Sequence, residues 1–316
     1  MHRSDRKTSI ETRLREGPTL LLDGATGTEI ESRGNPCDPP LWSTRALLEC
    51  PDQVRKIHRQ YAEAGADIIT ANTFRTQRRT LKRAEHEYPL LGDQDAELTA
   101  QAVQLARAGA HAERGWVAGS VAPLEDCYQP GLVPDPVSLE EEHRRHADNL
   151  AQAGVDLILI ETMNSRREAV AAARAAHATG LPFCVSFVVS SSGNLLSGES
   201  LEEAIHDLEP HSPAAVGINC LPAAFVDPGL LILQRSARRF GLHTNLGIPG
   251  AEDEQQHRSD CTPERFSRYV VRWAHSGAAW VGGCCGTTPA HTAAAHRALR
   301  AMDSPDVDTA VPHPRE

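Results

Sequence analysis

The sequence predicts a single α/β domain folded as a closed (β/α)8 barrel of the TIM type, on three observations. Short apolar, β-branched runs alternate with amphipathic helical patterns along most of the 316 residues, which is the sequence form of repeated βα units. There are eight such runs, more than the roughly five or six strands common in an open doubly wound sheet. Several runs are almost continuously apolar, as expected for strands that a parallel sheet buries on both faces.

The predicted strands and helices follow one another in a regular order. The strands begin at Thr19, Ala66, Trp116, Val155, Pro182, Ala214, His243 and Ala278. The helix that starts at Pro51 places Val54, Ile57 and His58 on one face and ends before Gly65. A serine with a glutamate three positions later, the pattern of a capping box, occurs at Ser138, Ser165 and Ser200. A threonine followed by a proline, which is typical of a helix start, occurs at Thr262 and Thr288.

Both ends of the chain are polar and predict flexible tails. Residues 1–17 carry charges throughout, and residues 303–316 are rich in proline and acidic residues. Neither segment has enough apolar surface to order itself, so the barrel is assigned to residues 18–302. Within the barrel, the polar segment 250–262 is long enough to act as a lid.

Composition limits the partners and the location of the protein. Hydrophobic residues make up 40% of the chain and charged residues 23%, as in globular proteins. With 32 Lys and Arg against 42 Asp and Glu, the net charge is −10, which argues against a nucleic-acid partner. No run reaches the ~18 apolar residues of a membrane helix, and no secretory signal precedes the fold. We therefore expect no membrane partner and a cytoplasmic monomer or small homo-oligomer with mostly free thiols.

Three cysteines end two of the predicted strands and form a candidate metal site. Cys220 ends the sixth strand, and Cys284 and Cys285 end the eighth, 64 residues later. Adjacent strand residues point to opposite faces, so both vicinal thiols reach one ion only where the chain turns, and flanking glycines at 282, 283 and 286 permit that turn. Three thiolates leave the fourth tetrahedral position of Zn²⁺ open, which is typical of a catalytic zinc.

Other interpretations of these motifs remain open on the residues alone. Vicinal cysteines also occur in packed cores, and DGATGTE from Asp23 superficially resembles a phosphate loop. A phosphate-binding barrel lyase or oxidoreductase with core cysteines is therefore an alternative, as is a non-catalytic zinc barrel that serves as a binding module. Cys184 is predicted to lie in the core, and the remaining cysteines are assigned no role: Cys37, Cys50, Cys127 and Cys261.

Polar residues end most of the other strands, where a barrel places its active site. Asp23, with the backbone amides of Gly24 and Ala25, suits a zwitterionic amino acid. Glu161 follows an apolar strand and is costly to bury alone, so it meets either a buried cation or a substrate ammonium. Asn72 and Thr73 end the second strand and are further candidates for substrate binding. The helix-face histidines are predicted to be solvated, among them His58, His143, His146, His177 and His206.

Several of these motifs, taken together, resemble the homocysteine S-methyltransferase family. They are LLLDGATGTEIESRG, PPLWSTRALLECPDQVRKIHRQYAEAGADIITANTFRT, GVDLILIETM, GINC and GGCCGTTPAH, in this order over residues 18–300. The resemblance implies a zinc ion held by Cys220, Cys284 and Cys285, with the sulfur of homocysteine in the fourth position. It also implies that the amino group of homocysteine lies near Asp23 and Glu161, and that methionine is the product. A related thiol or selenol stays open as the acceptor.

Two loops depart from the pattern of that family where the methyl donor is expected. GSVAPLEDCY contains Ser120 at the end of the third strand, and HTNLGIPG contains Asn245 at the end of the seventh, so these two residues are possible donor-site residues. Trp42 follows the first strand, and its ring face can hold an onium cation, although a packing role is equally open.

The donor is predicted to be a small methyl-onium compound, S-methylmethionine or S-adenosylmethionine rather than betaine. A sulfonium is the more activated donor because it leaves as a thioether. One barrel uses residues 18–300, which leaves no domain for folate or cobalamin. No catalytic residue is expected beyond the zinc-activated thiolate of the substrate, since the ion replaces a general base and a neutral leaving group needs no acid.

Overall fold

Eight parallel strands form the centre of the protein. The computed structural model describes residues 9–111, 115–237, 239–247 and 261–302. Within these ranges the strands are β1 (Leu20–Leu21), β2 (Ile68–Ala71), β3 (Trp116–Val121), β4 (Leu157–Met163), β5 (Phe183–Phe187), β6 (Ala215–Pro222), β7 (Phe240–Asn245) and β8 (Ala278–Gly283). They pair in the order β1-β8-β7-β6-β5-β4-β3-β2, and a bridge between Leu22 and Ile68 joins β1 to β2. The sheet therefore closes, and the predicted (β/α)8 barrel is confirmed.

Twelve α-helices accompany the strands in the described part of the chain. They are α1 (Ile10–Glu16), α2 (Thr26–Glu31), α3 (Arg45–Glu49), α4 (Pro51–Glu63), α5 (Arg78–Arg83), α6 (Asp95–Gly109), α7 (Pro136–Ala153), α8 (Arg166–Ala178), α9 (Leu201–Asp207), α10 (Asp227–Ser236), α11 (Pro263–His275) and α12 (Pro289–Met302). Among the described helices, none combines the length and apolar character that crossing a membrane requires.

The barrel interior is filled by side chains, among which Trp280 is large and almost fully buried. Leu20, Ile68 and Leu157 pack in the same interior cluster, and Trp280 is 2% exposed. A Cβ atom on Gly241 would lie 1.9 Å from Cε2 of Trp280, and one on Gly217 would lie 2.9 Å from its Cζ2. The indole thus takes the space that these two glycines leave. Cys184 lies in this interior cluster, as the sequence predicts.

Strand alternation carries polar residues from this apolar interior to the carboxyl end of the barrel. Leu157 and Leu159 of β4 belong to the interior cluster, and Glu161 is the next residue on that face. The same alternation places Ser120 above Ala118 on β3. The carboxyl ends of the strands therefore form a polar mouth above an apolar core.

The amino-terminal end of the barrel is closed by α1, which corrects one prediction. Ser9 caps this helix by accepting a hydrogen bond from the Thr12 amide, and Ile10 and Leu14 are buried in the interior cluster. The prediction of a flexible tail to residue 17 is therefore wrong for residues 9–17. Two apolar residues one helical turn apart give a mostly polar segment enough burial to dock. Residues 1–8, the predicted tail 303–316 and residues 250–260 of the predicted lid lie outside the described residues.

The predicted helix starts differ in accuracy. The cap at Ser200 is confirmed because its side chain accepts from the Glu203 amide, and Thr262 caps α11 in the same way. The prediction at Ser138 is wrong, since α7 starts earlier with Asp135 as its cap. Ser165 precedes α8 but makes no side-chain cap.

The predicted exposure of the helix histidines is wrong at three positions. His177 and His206 are exposed, but His58, His143 and His146 are buried. His58 shares the packed face of α4 with Val54, so its position on the apolar face decides its burial. The absence of water lowers the pKa of His58 to about 4 and that of His146 to about 4.

Candidate metal centre and substrate cavity

Three thiols meet at the mouth of the barrel. The sulfur atoms of Cys220, Cys284 and Cys285 all lie within 4.8 Å of one another, and 3.6 Å separates those of Cys220 and Cys284. Cys220 adopts a left-handed conformation with φ 59°, at a place where the pairing of β6 with β7 is irregular. Asn245 holds the adjacent Cys284 and Cys285 in place, since its Oδ1 accepts a hydrogen bond from the Cys285 amide at 3.0 Å.

This sulfur geometry fits a tetrahedral metal ion. Four thiolates at a metal–sulfur distance of ~2.3 Å would place neighbouring sulfurs ~3.8 Å apart, close to the separation of Cys220 and Cys284. The separation is far longer than a disulfide bond of ~2.05 Å, and the three cysteines are free. Hydrogen bonds from the other two thiols lower the pKa of Cys220 well below its usual range. Soft thiolate ligands in this arrangement are those that zinc prefers.

The thiols form part of the wall of a cavity of about 550 Å³. Most of the predicted site residues also line it: Asp23, Gly24, Ala25, Trp42, Asn72, Ser120 and Glu161. Thr73 and Asn245 are not among the lining residues. The Thr73 hydroxyl donates to the carbonyl of Ser120 and accepts from its amide, both at 2.9 Å. Thr73 and Asn245 thus hold the backbone of Ser120 and Cys285 beneath the cavity wall.

Asp23 is a buried acid with few partners. It is 2% exposed and accepts hydrogen bonds from the amide and hydroxyl of Thr70 at 2.8 and 2.9 Å. Burial raises the pKa of Asp23 to about 8, and the nearby charge of Glu161 acts in the same direction. A cation in the cavity would relieve this cost, which suits an ammonium group.

Glu161 meets two hydrogen-bond donors of the chain. The Ser120 hydroxyl donates to Oε1 at 2.5 Å, and Nε2 of His243 lies 3.2 Å from Oε2. The indole N–H of Trp280 can only donate and faces Nδ1 of His243 at 3.5 Å. This contact assigns the proton of a neutral His243 to Nε2, which donates to Glu161. Glu161 is 8% exposed and still lines the cavity, so it combines a partner in the chain with access to a ligand.

Trp42 both packs and lines the cavity. It adopts φ 48°, and its ring meets that of Phe74 edge-on with centroids 5.5 Å apart. A Cβ on Gly27 would lie 2.6 Å from Cζ2 of Trp42, so the glycine makes room for the indole. The packing role of Trp42 is therefore confirmed, and its role in holding an onium cation stays a prediction.

Several residues of the site were not predicted from the sequence. The hydroxyl of Tyr128 lies 2.9 Å from the sulfur of Cys220, and Arg75, Cys127 and His243 also line the cavity. Tyr128 and Cys127 lie in the long loop after β3, so a search of strand ends does not reach them. The sequence predicts His243 as the first residue of the seventh strand. Because β7 begins at Phe240, His243 lies further along the strand and closer to the mouth.

Comparisons with known proteins agree over nearly the whole chain. A family model described as homocysteine S-methyltransferase matches residues 20–299. A selenocysteine methyltransferase from Astragalus bisulcatus is 31% identical, with 92% of this chain and 95% of the relative aligned. Homocysteine S-methyltransferase 2 from Arabidopsis thaliana is 30% identical, with 90% and 93% aligned. The metallated form of the homocysteine methyltransferase MmuM from Escherichia coli superposes with a TM-score of 0.76 at 28% identity, covering 91% of this chain and 99% of that one.

Proposed function

The chain belongs to the homocysteine S-methyltransferase family, and on that premise we propose that it moves a methyl group from a small sulfonium donor to the sulfur of homocysteine, giving methionine. Family membership confirms the resemblance seen in the motifs and contradicts the alternative of a phosphate-binding lyase or oxidoreductase. The observation that carries the proposal is the meeting of three thiols in a cavity that Asp23 and Glu161 also line. The thiols suit a soft metal that binds a substrate thiolate, and the two acids suit the ammonium group of an amino acid.

We propose Zn²⁺ as the metal, held by Cys220, Cys284 and Cys285. Their sulfur separations support this choice, as does the existence of a metallated form of the related MmuM. When bound, the ion supplies an open fourth position at which a substrate thiol is a thiolate at neutral pH.

The chain's own residues bind and orient the amino acid. Asp23 and Glu161 offer carboxylate oxygens to its ammonium group, and Ser120 and His243 hold Glu161 in place. Gly24 must be a glycine, because a Cβ would lie 2.7 Å from Oγ1 of Thr287. The amide of Ala25 already donates to that oxygen at 3.2 Å. The amide of Gly24 is thus the better placed of the two for the substrate carboxylate.

The donor is proposed to be S-methylmethionine or S-adenosylmethionine rather than betaine. Its leaving group is a neutral thioether, so no side chain has to supply a proton. Trp42 offers a ring face to the onium centre. Ser120 and Asn245 were also predicted for the donor, but their hydrogen bonds tie them to Glu161 and Cys285, so we assign them positioning roles. A cytoplasmic location, a monomer or small homo-oligomer and independence of folate and cobalamin stay predictions.

A selenol acceptor is the second candidate, because one relative is named for selenocysteine. A selenolate is softer than a thiolate and suits the same site. The two acceptors differ in length, since homocysteine has one more methylene than selenocysteine.

The deciding assay supplies zinc-loaded protein under reducing conditions with homocysteine and one donor at a time. We expect methionine from S-methylmethionine or S-adenosylmethionine and slower turnover of betaine. Selenocysteine and homocysteine are then compared at equal concentration with the better donor. Betaine turnover above that of both sulfoniums would overturn the donor proposal, and no methylation of either acceptor would overturn the function.

A further inference from the structure

The cavity wall contains an arginine without a carboxylate partner. Arg75 lies four residues beyond β2 and lines the cavity. Its Nη1 donates to the carbonyls of Pro123 and Glu125 at 3.0 and 3.1 Å, and its guanidinium carbon lies 4.9 Å from the centroid of the Phe74 ring. Among the residues that the structure describes, no carboxylate oxygen lies at ion-pairing distance from Arg75.

A second arginine of the same cavity provides the contrast. Arg83 also lines it, but its two Nη atoms bind both carboxylate oxygens of Glu125 at 2.7 and 2.6 Å. The charge of Arg83 is therefore already paired inside the protein. That of Arg75 is bound only by neutral carbonyls and an aromatic face.

One edge of the Arg75 guanidinium remains available. The two N–H groups of Nη1 are used by the two carbonyls, whereas Nε and Nη2 make no hydrogen bond within the described ranges. Both atoms keep some solvent-accessible surface. The fully buried polar atoms that lack a hydrogen bond do not include them. Nε and Nη2 form the edge that binds a carboxylate with two parallel hydrogen bonds. The free edge is accessible and has the geometry of an anion site.

The contacts of Arg75 are with Phe74 and the loop after β3 and not with the residues of the proposed acceptor subsite. The proposed acceptor is fixed at its sulfur by the three cysteines and at its ammonium by Asp23 and Glu161. Arg75 instead adjoins Phe74, whose ring packs against Trp42, the residue proposed to face the onium centre. A guanidinium at that place repels a bare cation but attracts a ligand that carries an anion beside its positive charge.

We infer that Arg75 binds the carboxylate of the methyl donor, which selects a sulfonium amino acid over a simple trialkylsulfonium. This inference rests on the proposed function and specifies its donor. The carboxylate takes no part in the bond changes. The methyl–sulfur bond of the donor breaks, its electron pair stays on the departing thioether, and the thiolate of the acceptor forms the new bond to carbon.

Calorimetric titration of the metal-loaded, full-length protein tests the inference. The ligands are S-methylmethionine and its carboxamide, which differ only in the anion. We expect the wild type to prefer the acid on the order of tenfold to a hundredfold. Arg75→Gln should reduce this preference to about threefold or less, and Arg75→Lys, which keeps the charge, should retain part of it. Arg78→Gln, at an arginine that does not line the cavity and that pairs with Asp93, is the control and should bind like the wild type.

Each outcome separates the inference from the proposed function. Equal binding of acid and amide by the wild type, or a preference that survives in Arg75→Gln, overturns the inference. Homocysteine and 3-aminopropanethiol, which lacks the carboxylate, form the acceptor arm. If Arg75→Gln abolishes discrimination between these two instead, Arg75 belongs to the acceptor and the inference is wrong. Preferential binding of the acid without methionine formation would overturn the proposed function and leave the anion site standing.

Discussion

The two ends of the barrel differ in the side chains that form them. At the amino-terminal end, Ile10 and Leu14 of α1 pack in one apolar cluster with Leu20 and Trp116. At the carboxyl-terminal end, Asp23 and Glu161 share one cavity with the three thiols of the candidate metal site. The first end is satisfied by packing alone, whereas the second contains groups that are costly to bury until a ligand arrives. The amino-terminal end therefore contributes stability, and the carboxyl-terminal end contributes the chemistry.

Three of the five non-glycine residues with a left-handed φ in the described ranges lie at the carboxyl-terminal end, and the other two are Leu90 and Ser212. Trp42, Thr162 and Cys220 have φ values of 48°, 63° and 59°, and all three line the cavity. A left-handed conformation costs a non-glycine residue about 1–2 kcal/mol. Asn219 supports one of these positions, since its side chain bonds the amide and hydroxyl of Thr162 at 2.9 and 3.1 Å. Strain at the mouth is thus held in place by specific hydrogen bonds, as is typical of functional sites.

The largest expected effect comes from removing metal ligands at the mouth. Cys285→Ser should lower zinc content and reduce methyl transfer more than about a hundredfold, beyond the usual effect of changing a residue that only orients a metal ligand. The helical circular dichroism should stay the same, because the apolar end of the barrel is untouched. Metal analysis and the methionine assay measure both, with Cys261→Ser as the control outside the thiol cluster. Full zinc retention in a Cys220→Ser, Cys285→Ser double variant would contradict the site.

The opposite end should respond in stability and not in chemistry. Leu14→Ala removes a side chain that is 0% exposed and should lower the free energy of unfolding by about 2–5 kcal/mol. Denaturant unfolding measures this loss, and zinc content and KM should stay at wild-type values. Leu231→Ala, at a residue that is 53% exposed, is the control and should change stability little. A changed KM in Leu14→Ala would show that the two ends are coupled.

A smaller effect is expected at the acid that adjoins the proposed ammonium. Glu161→Gln should weaken homocysteine binding by about 1.5–3 kcal/mol, the range for a charged hydrogen bond, with zinc content unchanged. Glu168→Gln is the matched control, since Glu168 is buried beside His143 but does not line the cavity. Stability can fall in that control, but binding should not. Unaltered homocysteine binding in Glu161→Gln would restrict Glu161 to a structural role.

The smallest effect concerns the buried histidines of the helical layer. Burial lowers the pKa of His58 to about 4, so between pH 6.5 and 4 the unfolded chain binds a proton that the folded chain does not. The free energy of unfolding should therefore fall as the pH falls through this window, by at most about 1.4 kcal/mol per pH unit for this residue. His58→Leu should reduce that slope, and His206→Leu, at an exposed histidine, should not. Identical slopes in wild type and His58→Leu would refute the shift.

The sequence was sufficient for the fold and for the thiol cluster. Alternating apolar strands and helices identify the barrel, and the rule that active sites lie at strand ends brings Cys220, Cys284 and Cys285 together. It was insufficient where tertiary packing decides the outcome. Nothing local distinguishes α1 from a polar tail, because Ile10 and Leu14 gain burial only from the closed barrel. Tyr128 reaches the mouth through an irregular loop whose path no periodicity encodes.

X-ray absorption at the zinc edge, recorded on the same sample before and after homocysteine is added, tests the central claim most directly. We expect three sulfur neighbours at ~2.3 Å and one lighter atom before addition, and four sulfur neighbours afterwards. Cys285→Ser should lack one of the initial sulfur neighbours. An unchanged sulfur count on addition of homocysteine, or fewer than three sulfur neighbours at the start, would contradict the claim that three cysteines hold a metal whose open position takes the acceptor sulfur.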